Sequence, residues 1–318
     1  MLAGGLVNYV RGSKTAKGYF FAFLATLGMA NVYIFSKAAL GELHLIVFGF
    51  YWFGLALLWS LIYMIISGRI KRVKELDRPG HRMLLLIGFL ETLSAVTLFT
   101  AIRIMENPSV ASFLQNLTPL FVTAFGFWFL KERFTPIEAA GIALTLAGAI
   151  LISYTGQKSL GELFQEGTGL VVLSSLFMSA SIILTKGKIV KIDPSILTIN
   201  RIAYIFFLSL TLMLLYNLPT EISPRAAMNV MAGSLLGPFL TGLAHYYSLR
   251  YIEASRSTIF QSARGLLVVI GAIVYLGINP LPNEITGGLL TIAGVALLTL
   301  GKRISRSIAR YLSPAREG

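Results

Sequence analysis

Apolar runs of about 20 residues, each long enough for a hydrocarbon core about 30 Å thick, follow one another from residue 18 to residue 302. A chain built this way crosses a membrane many times, and its backbone must be helical wherever it meets lipid. Spans are predicted over 18–39, 43–67, 83–103, 108–130, 136–154, 167–186, 195–216, 226–250, 255–277 and 283–302. Pro108, Pro136, Pro194 and Pro224 fall near span starts, where a missing N–H is harmless. Pro119 and Pro238 fall mid-span and are expected to kink it. The runs are continuous rather than alternating, which excludes a β-barrel. Charged residues make up only 13% of the chain and mean hydropathy is +0.74, far from the roughly one quarter charged residues of a soluble domain.

The +13 net charge is placed, not spread. With the N-terminus set in the cytoplasm, 21 of the 27 Lys and Arg residues fall on inner segments and 4 on outer ones, and Arg201 and Arg264 lie inside spans. That bias gives an N-in, C-in topology and explains the basic charge without nucleic acid. The first apolar run, behind a basic stretch, has the look of a signal peptide, but it has a counterpart later in the chain and is read as a span.

The counterpart belongs to an internal repeat. Met29, Ile34, Ser36 and Lys37 match Met178, Ile183, Thr185 and Lys186 at an offset of 149; Arg103 and Glu106 match Arg250 and Glu253 at 147. Gln115, Pro136, Glu138, Gly141, Thr145, Ala147 and Gly148 match Gln261, Pro282, Glu284, Gly287, Thr291, Ala293 and Gly294 at 146. Each unit holds an odd number of spans, so the second crosses the membrane upside down. The expected organisation is a cytoplasmic segment 1–17, a five-helix repeat 18–154, an inverted repeat 167–302, and a basic amphipathic tail 303–318 lying on anionic lipid of the inner leaflet. Inverted repeats of this kind house their substrate near the midplane between the halves.

Polar residues recur at three- and four-residue steps within the spans. Ser112, Gln115, Asn116, Pro119 and Thr123 form one stripe, Ser234, Pro238, Thr241, His245 and Ser248 a second, and Ser257, Gln261 and Arg264 a third. Each falls on one helix face, and such faces must meet each other or water. Glu91 is the carboxylate well inside a span, about 12 Å deep, and Arg264 lies about 13 Å deep from the same side. Opposite charges at matching depth are expected to share one cavity, with Arg264 receiving a substrate carboxylate or phosphate and Glu91 taking an amino group or a proton; the alternative is a structural ion pair between the third and ninth spans. Gln115, Asn116 and Gln261 are candidate hydrogen-bonding contacts in an otherwise apolar pocket, or interhelical glue. His245, Tyr246, Thr241 and Tyr33 complete the candidate substrate-binding set. Arg201, early in its span, is expected to snorkel toward the cytoplasm. Lys37 and Lys186 are expected at helix ends, where cations suit the dipole. Small-residue faces, Gly141 with Gly148 and Gly287 with Gly294, permit close packing, as monomer or homodimer.

The five-plus-five repeat, the lysines ending the first helix of each half, and the block from Pro119 through Lys131-Glu132-Arg133 to Gly141 and Gly148 resemble the drug/metabolite transporter superfamily, EamA type. Lys131 stands where that family usually has glycine before its glutamate. The resemblance covers about residues 18–302 and implies a carrier of small metabolites, amino acids among them, in the cell membrane, with a cavity walled by helices 1, 3, 4, 6, 8 and 9. No cofactor or metal is expected: there is no cysteine, and His44, His81 and His245 lack ligand spacing. An intramembrane enzyme would need a nucleophile with its base or clustered carboxylates, and neither is present. A substrate-carrying transporter, with protons as the candidate coupling ion, is the leading reading; an organic-anion or nucleotide/sugar-type carrier is the alternative, and a receptor or channel the non-transporting one.

Overall fold

The computed structural model describes residues 13–105, 108–115, 117–131, 134–153, 166–189, 192–277 and parts of 282–304. It is an all-helical bundle. The helices are α1 Lys14–Leu40, α2 Leu45–Ile66, α3 Arg78–Ile104, α4 Pro108–Leu114, α5 Leu117–Phe125, α6 Pro136–Ser153, α7 Thr168–Lys188, α8 Pro194–Leu215, α9 Pro224–Ser234, α10 Gly242–Tyr251, α11 Ala254–Gln261 and α12 Arg264–Gly271. A 3-10 segment, Arg69–Glu75, follows α2. Among the described residues, seven helical stretches are long and apolar enough to cross a membrane. Described positions between 285 and 301 are helical. The tail read as an amphipathic helix lies almost wholly outside the described residues.

Local chemistry sets the helix starts. Ser13, Asp77, Asp193 and Ser223 are N-caps whose side chains accept from backbone N–H groups, and proline opens the first turn behind the last three. Helix ends are closed across helices. Lys37, at the end of α1, donates from Nζ to the carbonyls of Ile102, at 3.2 Å, and of Met105, at the end of α3. Lys186, at the end of α7, donates to the carbonyls of Leu249, at 2.6 Å, and of Ile252, at the end of α10. Each lysine thus satisfies orphan carbonyls at the end of a neighbouring helix.

Three predicted spans are not continuous helices. The one read as 108–130 breaks at Gln115, and Pro119 explains it: its nitrogen cannot bond the carbonyl four residues back, so the turn tightens to an i,i+3 bond, Thr118 N–H to Gln115 O at 3.0 Å. The one read as 255–277 breaks at Ser262 and Ala263 without a proline, through Gly265 N–H to Ser262 O and Leu266 N–H to Ala263 O. The missing side chain at Gly265 makes room for the Phe113 ring; a Cβ there would lie 2.4 Å from it. The span read as 226–250 widens into a π segment, Leu235–Thr241, around Pro238, and the Thr241 hydroxyl bonds the Leu236 carbonyl at 2.8 Å. The two broken spans also end alike, each in a π turn, Gly126–Leu130 and Ala272–Leu276. A left-handed residue follows: Lys131 at φ 53° and Gly277 at φ 72°. Lysine at such a φ is strained, which is the physical reason a glycine suits this position.

Helix contacts follow the same repeat. α1 packs on α9, α10 and the π segment between them, and on α11 and α12; α7 packs on α3 and α5; α2 pairs with α8 and α5 with α11. The first helix of each half therefore inserts against the other half. Lipid tails are as apolar as the side chains, so close packing and polar bonds hold the helices together. Ser94 and Ser174 exchange hydrogen bonds to each other's carbonyls, at 3.0 and 2.8 Å, across α3 and α7. Trp52 of α2 lies on Gly233 of α9, where a Cβ would sit 2.1 Å from the ring. Phe48, Trp52, Phe53 and Phe99 form one aromatic cluster. Large apolar side chains such as Ile66, Phe89, Trp128, Phe207 and Leu215 point outward.

Candidate functional site

The breaks in the two discontinuous spans meet at a cavity. Gln115 ends α4, Thr118 and Pro119 open α5, Gln261 ends α11, and Arg264 opens α12; all of them line it. Met29 of α1 and Met178 of α7, matched at the offset of 149, also line it, and Thr241, His245, Thr258 and Arg201 add to its polar wall. Met29 with Met178 and Gln115 with Gln261 are matched lining pairs of the two halves, whereas Arg264 has Thr118 as its counterpart at the offset of 146.

Arg264 is 5% exposed. Its Nη1 bonds the Gln261 carbonyl at 3.4 Å, and its Nε and Nη2 have no hydrogen-bond partner among the described residues. The Tyr33 hydroxyl lies beside it, also without a bond of good geometry. Gln115 donates from its amide to Thr118 Oγ1 at 3.3 Å and leaves its own Oε1 unpartnered. Gln261 is held by Ser257 and by His245 Nδ1, its amide nitrogen 3.1 Å from that ring atom, which leaves His245 Nε2 without a partner. Buried polar atoms are normally satisfied. Among the described residues, two guanidinium nitrogens, an amide oxygen and a ring nitrogen of residues lining one cavity are left open, a set of donors and acceptors suited to a small polar ligand.

Glu91 does not meet Arg264, contrary to the pairing expected from equal depth. It is 1% exposed and lies behind the cavity wall. Tyr246 donates its hydroxyl to both carboxylate oxygens at 2.6 Å, and Ser181 donates to Oε1 at 2.8 Å. The cation beside it is Arg201 of α8, which also lies beside Tyr246 and His245. Depth along a helix says nothing about azimuth, and α3 turns Glu91 toward α7 and α10 rather than toward α12. Arg201 does not snorkel; it lines the cavity. It lies about 10 Å into its span by rise per residue, so the depth argument applied to Glu91 was available for it too. Of the other predicted contacts, Gln115, Gln261, His245, Thr241 and Arg264 line the cavity, Tyr33 and Tyr246 lie behind it, and Asn116 lies outside the described residues. Met29, Met178, Thr118 and Thr258 were missed, because small and apolar residues carry no signal of their own in an apolar span.

A second cluster ties the 3-10 segment to α8. Asp193 is ion-paired with Arg69, at 3.4 Å, and with Arg72, and Arg69 also bonds Ser195 Oγ at 3.2 Å and the Tyr247 hydroxyl. Tyr247 stacks on Phe21 of α1 at 4.9 Å. Burial pushes the Asp193 carboxyl up, but the Ser195 donors and the two guanidiniums outweigh it and hold the group below its ordinary value of 3.8. Nearby, Arg256 pairs with Glu138 at 3.0 Å and Glu253 at 2.6 Å. Among the described residues no group of acids, histidines and cysteines is arranged to hold a metal.

The sequence profile of the EamA-like transporter family matches residues 16–154 and again residues 165–300. The chain belongs to the EamA-like transporter family. It is therefore a multi-pass membrane transporter of small molecules, not an enzyme. An uncharacterized transporter of Archaeoglobus fulgidus is 27% identical over 89% of this chain and 98% of its own length. A second from the same organism is 30% identical, over 73% and 78%. A protein of Streptantibioticus cattleyicolor described as a probable terminal-alkyne amino-acid exporter is 26% identical over 61% of this chain and 65% of its own. A protein of known crystal structure has the same fold as this chain, with a TM-score of 0.73 at 17% identity, over 93% of this chain and 98% of that one.

Proposed function

We propose that this EamA-like transporter is a secondary, alternating-access carrier of a small polar metabolite with a carboxylate, an amino acid or close relative, acting as exporter or exchanger. The observation that carries this reading is the Nε and Nη2 of Arg264, without a partner among the described residues, in a cavity also lined by Gln115, whose amide oxygen is likewise open. The guanidinium takes a carboxylate in its fork, and an amide oxygen is an acceptor for an ammonium group. The A. fulgidus relatives support transport, and the name of the S. cattleyicolor protein supports the amino-acid class.

In this proposal the chain makes ten spans, as two five-helix units over 18–154 and 167–302 in opposite orientation, with both termini cytoplasmic. The two family matches, the paired lysine bonds and the paired helix breaks support it. The cavity holds about 50 Å³, room for a few waters and well below the roughly 300 Å³ of a ligand pocket. Substrate therefore enters only when the halves part. The Arg69–Asp193–Tyr247 cluster, on the basic side, is the contact that opens toward the cytoplasm.

A second reading, an organic-anion carrier, is favoured by one observation: both charged groups of the described wall, Arg201 and Arg264, are cations. A thermal-shift series on the purified protein separates the readings. Amino acids are expected to raise the melting temperature most. Stabilisation by simple organic acids alone selects the second reading, and stabilisation by nucleotides or sugars alone overturns both.

A further inference from the structure

We infer that Glu91 is a proton-binding site whose occupancy is set by the substrate through Arg201, so that one proton and one substrate carboxylate are carried together. The inference rests on the carrier reading and adds the coupling ion and the residue that links it.

Three observations place the site. Glu91 is buried and reached by two hydroxyl donors, Tyr246 and Ser181, but by no cation within 4 Å among the described residues. Arg201 is the guanidinium that balances it from a longer distance. The same Arg201 lines the cavity together with Arg264, and both guanidiniums lie near His245. Arg201 therefore stands between the carboxylate and the cavity, with a choice of anion.

Among the described residues, the groups around Glu91 leave it no other counter-ion. α8 contributes Arg201, and α10 contributes Tyr246, with His245 next to it on the cavity side. From α7 the Ser181 hydroxyl reaches it, and among the described residues α1, α2 and α4 bring no charge to it. A substrate carboxylate between Arg264 and Arg201 adds a negative charge and draws Arg201 off Glu91. The buried carboxylate, with only hydroxyl donors left, then takes a proton. By linkage the converse holds: protonated Glu91 releases Arg201 to the cavity and tightens substrate binding. The unloaded site carries two guanidiniums and one carboxylate; anion and proton together leave its net charge unchanged. A metabolite leaving down its own gradient takes the proton with it.

The test has two arms. In the first, infrared spectra of the protein in phosphatidylethanolamine–phosphatidylglycerol vesicles are compared at neutral pH for the parent, Glu91→Gln, Arg201→Gln and Arg201→Lys. A protonated-carboxyl band assigned by its loss in Glu91→Gln is expected to grow in Arg201→Gln and to stay at the parental level in Arg201→Lys. A band that ignores Arg201→Gln overturns the inference. In the second, the same vesicles carry a pH dye in the lumen and receive L-leucine, L-glutamine or L-aspartate as radiolabelled probe. Protons are expected to move with the probe in the parent, with the proton-to-probe ratio falling to zero in Glu91→Gln. Proton movement opposite to the probe, or a ratio unchanged in Glu91→Gln, overturns it. If the parent moves none of the probes, the amino-acid reading fails, and the infrared arm still decides the proton site.

Discussion

The Glu138–Arg256 pair gives a prediction whose size can be worked from the structure. Arg256, at the start of α11, meets Glu138, near the start of α6, at 3.0 Å, with side-chain exposures of 9% and 1%. At that distance and an effective dielectric of about 20 the gross attraction is about 5.5 kcal/mol, and most of it offsets the desolvation of the two ions. The two single replacements are not equivalent. Arg256→Met strands a buried carboxylate whose remaining donors among the described residues are the Thr135 N–H, at 2.9 Å, and hydroxyl, at 3.0 Å; the loss is about 3–5 kcal/mol. Glu138→Gln leaves Arg256 paired with the more exposed Glu253 at 2.6 Å, and exchanges a charged hydrogen bond for a neutral one, a loss of about 1–2 kcal/mol. The double replacement removes both charges and should be less damaging than Arg256→Met alone, giving a coupling energy of about 2–3 kcal/mol. Unfolding in mixed micelles by added sodium dodecyl sulfate, followed by circular dichroism, reads all four proteins. Single losses that add to the double within about 0.5 kcal/mol, or equal losses for the two singles, refute the argument.

Other consequences follow from the same packing. Gly28 of α1 abuts the π segment, where a Cβ would lie 2.1 Å from Thr241 Oγ1 and 2.7 Å from the Leu236 carbonyl; Gly28→Ala is expected to lose about 1–3 kcal/mol by overpacking and to depress transport, and parental melting and uptake would contradict it. The lowered Asp193 carboxyl contributes stability that is present above 3.8, its ordinary value, and lost as pH falls through its lower folded value. The melting difference between the parent and Asp193→Asn should therefore be full at neutral pH and shrink as pH falls from 3.8 through the lower folded value. A cysteine at Arg72, in a chain with none of its own, should react with an impermeant maleimide in inside-out vesicles and not on intact cells; the reverse would refute the N-in orientation.

The fold was legible because its determinants are local or repeated. Apolar length gives spans, prolines mark several of their starts, and the offsets near 147 tie Lys37 to Lys186 and Gln115 to Gln261. The structure then puts each tied pair to matching use. The site was legible in its stripes and not in its pairings. Gln115, Gln261, His245, Thr241 and Arg264 line the cavity because a polar face in an apolar span has to go somewhere. Glu91 was matched with Arg264 by depth alone, whereas its contacts are set by how α3 turns against α7, α8 and α10. Arg201 was placed at the membrane edge because long cations can snorkel; what keeps it inward is the carboxylate and the phenol on the neighbouring helices, which no reading of its own span contains. The break at Ser262 was hidden for a related reason: no proline announces it, and the space that permits it is filled by Phe113 from the other half.

The central claim is that Arg264 receives the substrate's carboxylate in a carrier's cavity. Exchange of a radiolabelled amino acid from the thermal-shift series, in vesicles loaded with the unlabelled compound, tests it most directly. The parent is expected to exchange label, and Arg264→Met, matched for amount and melting, to lose exchange of the amino acid while binding of its carboxamide falls much less. Equal exchange by parent and Arg264→Met would contradict the account.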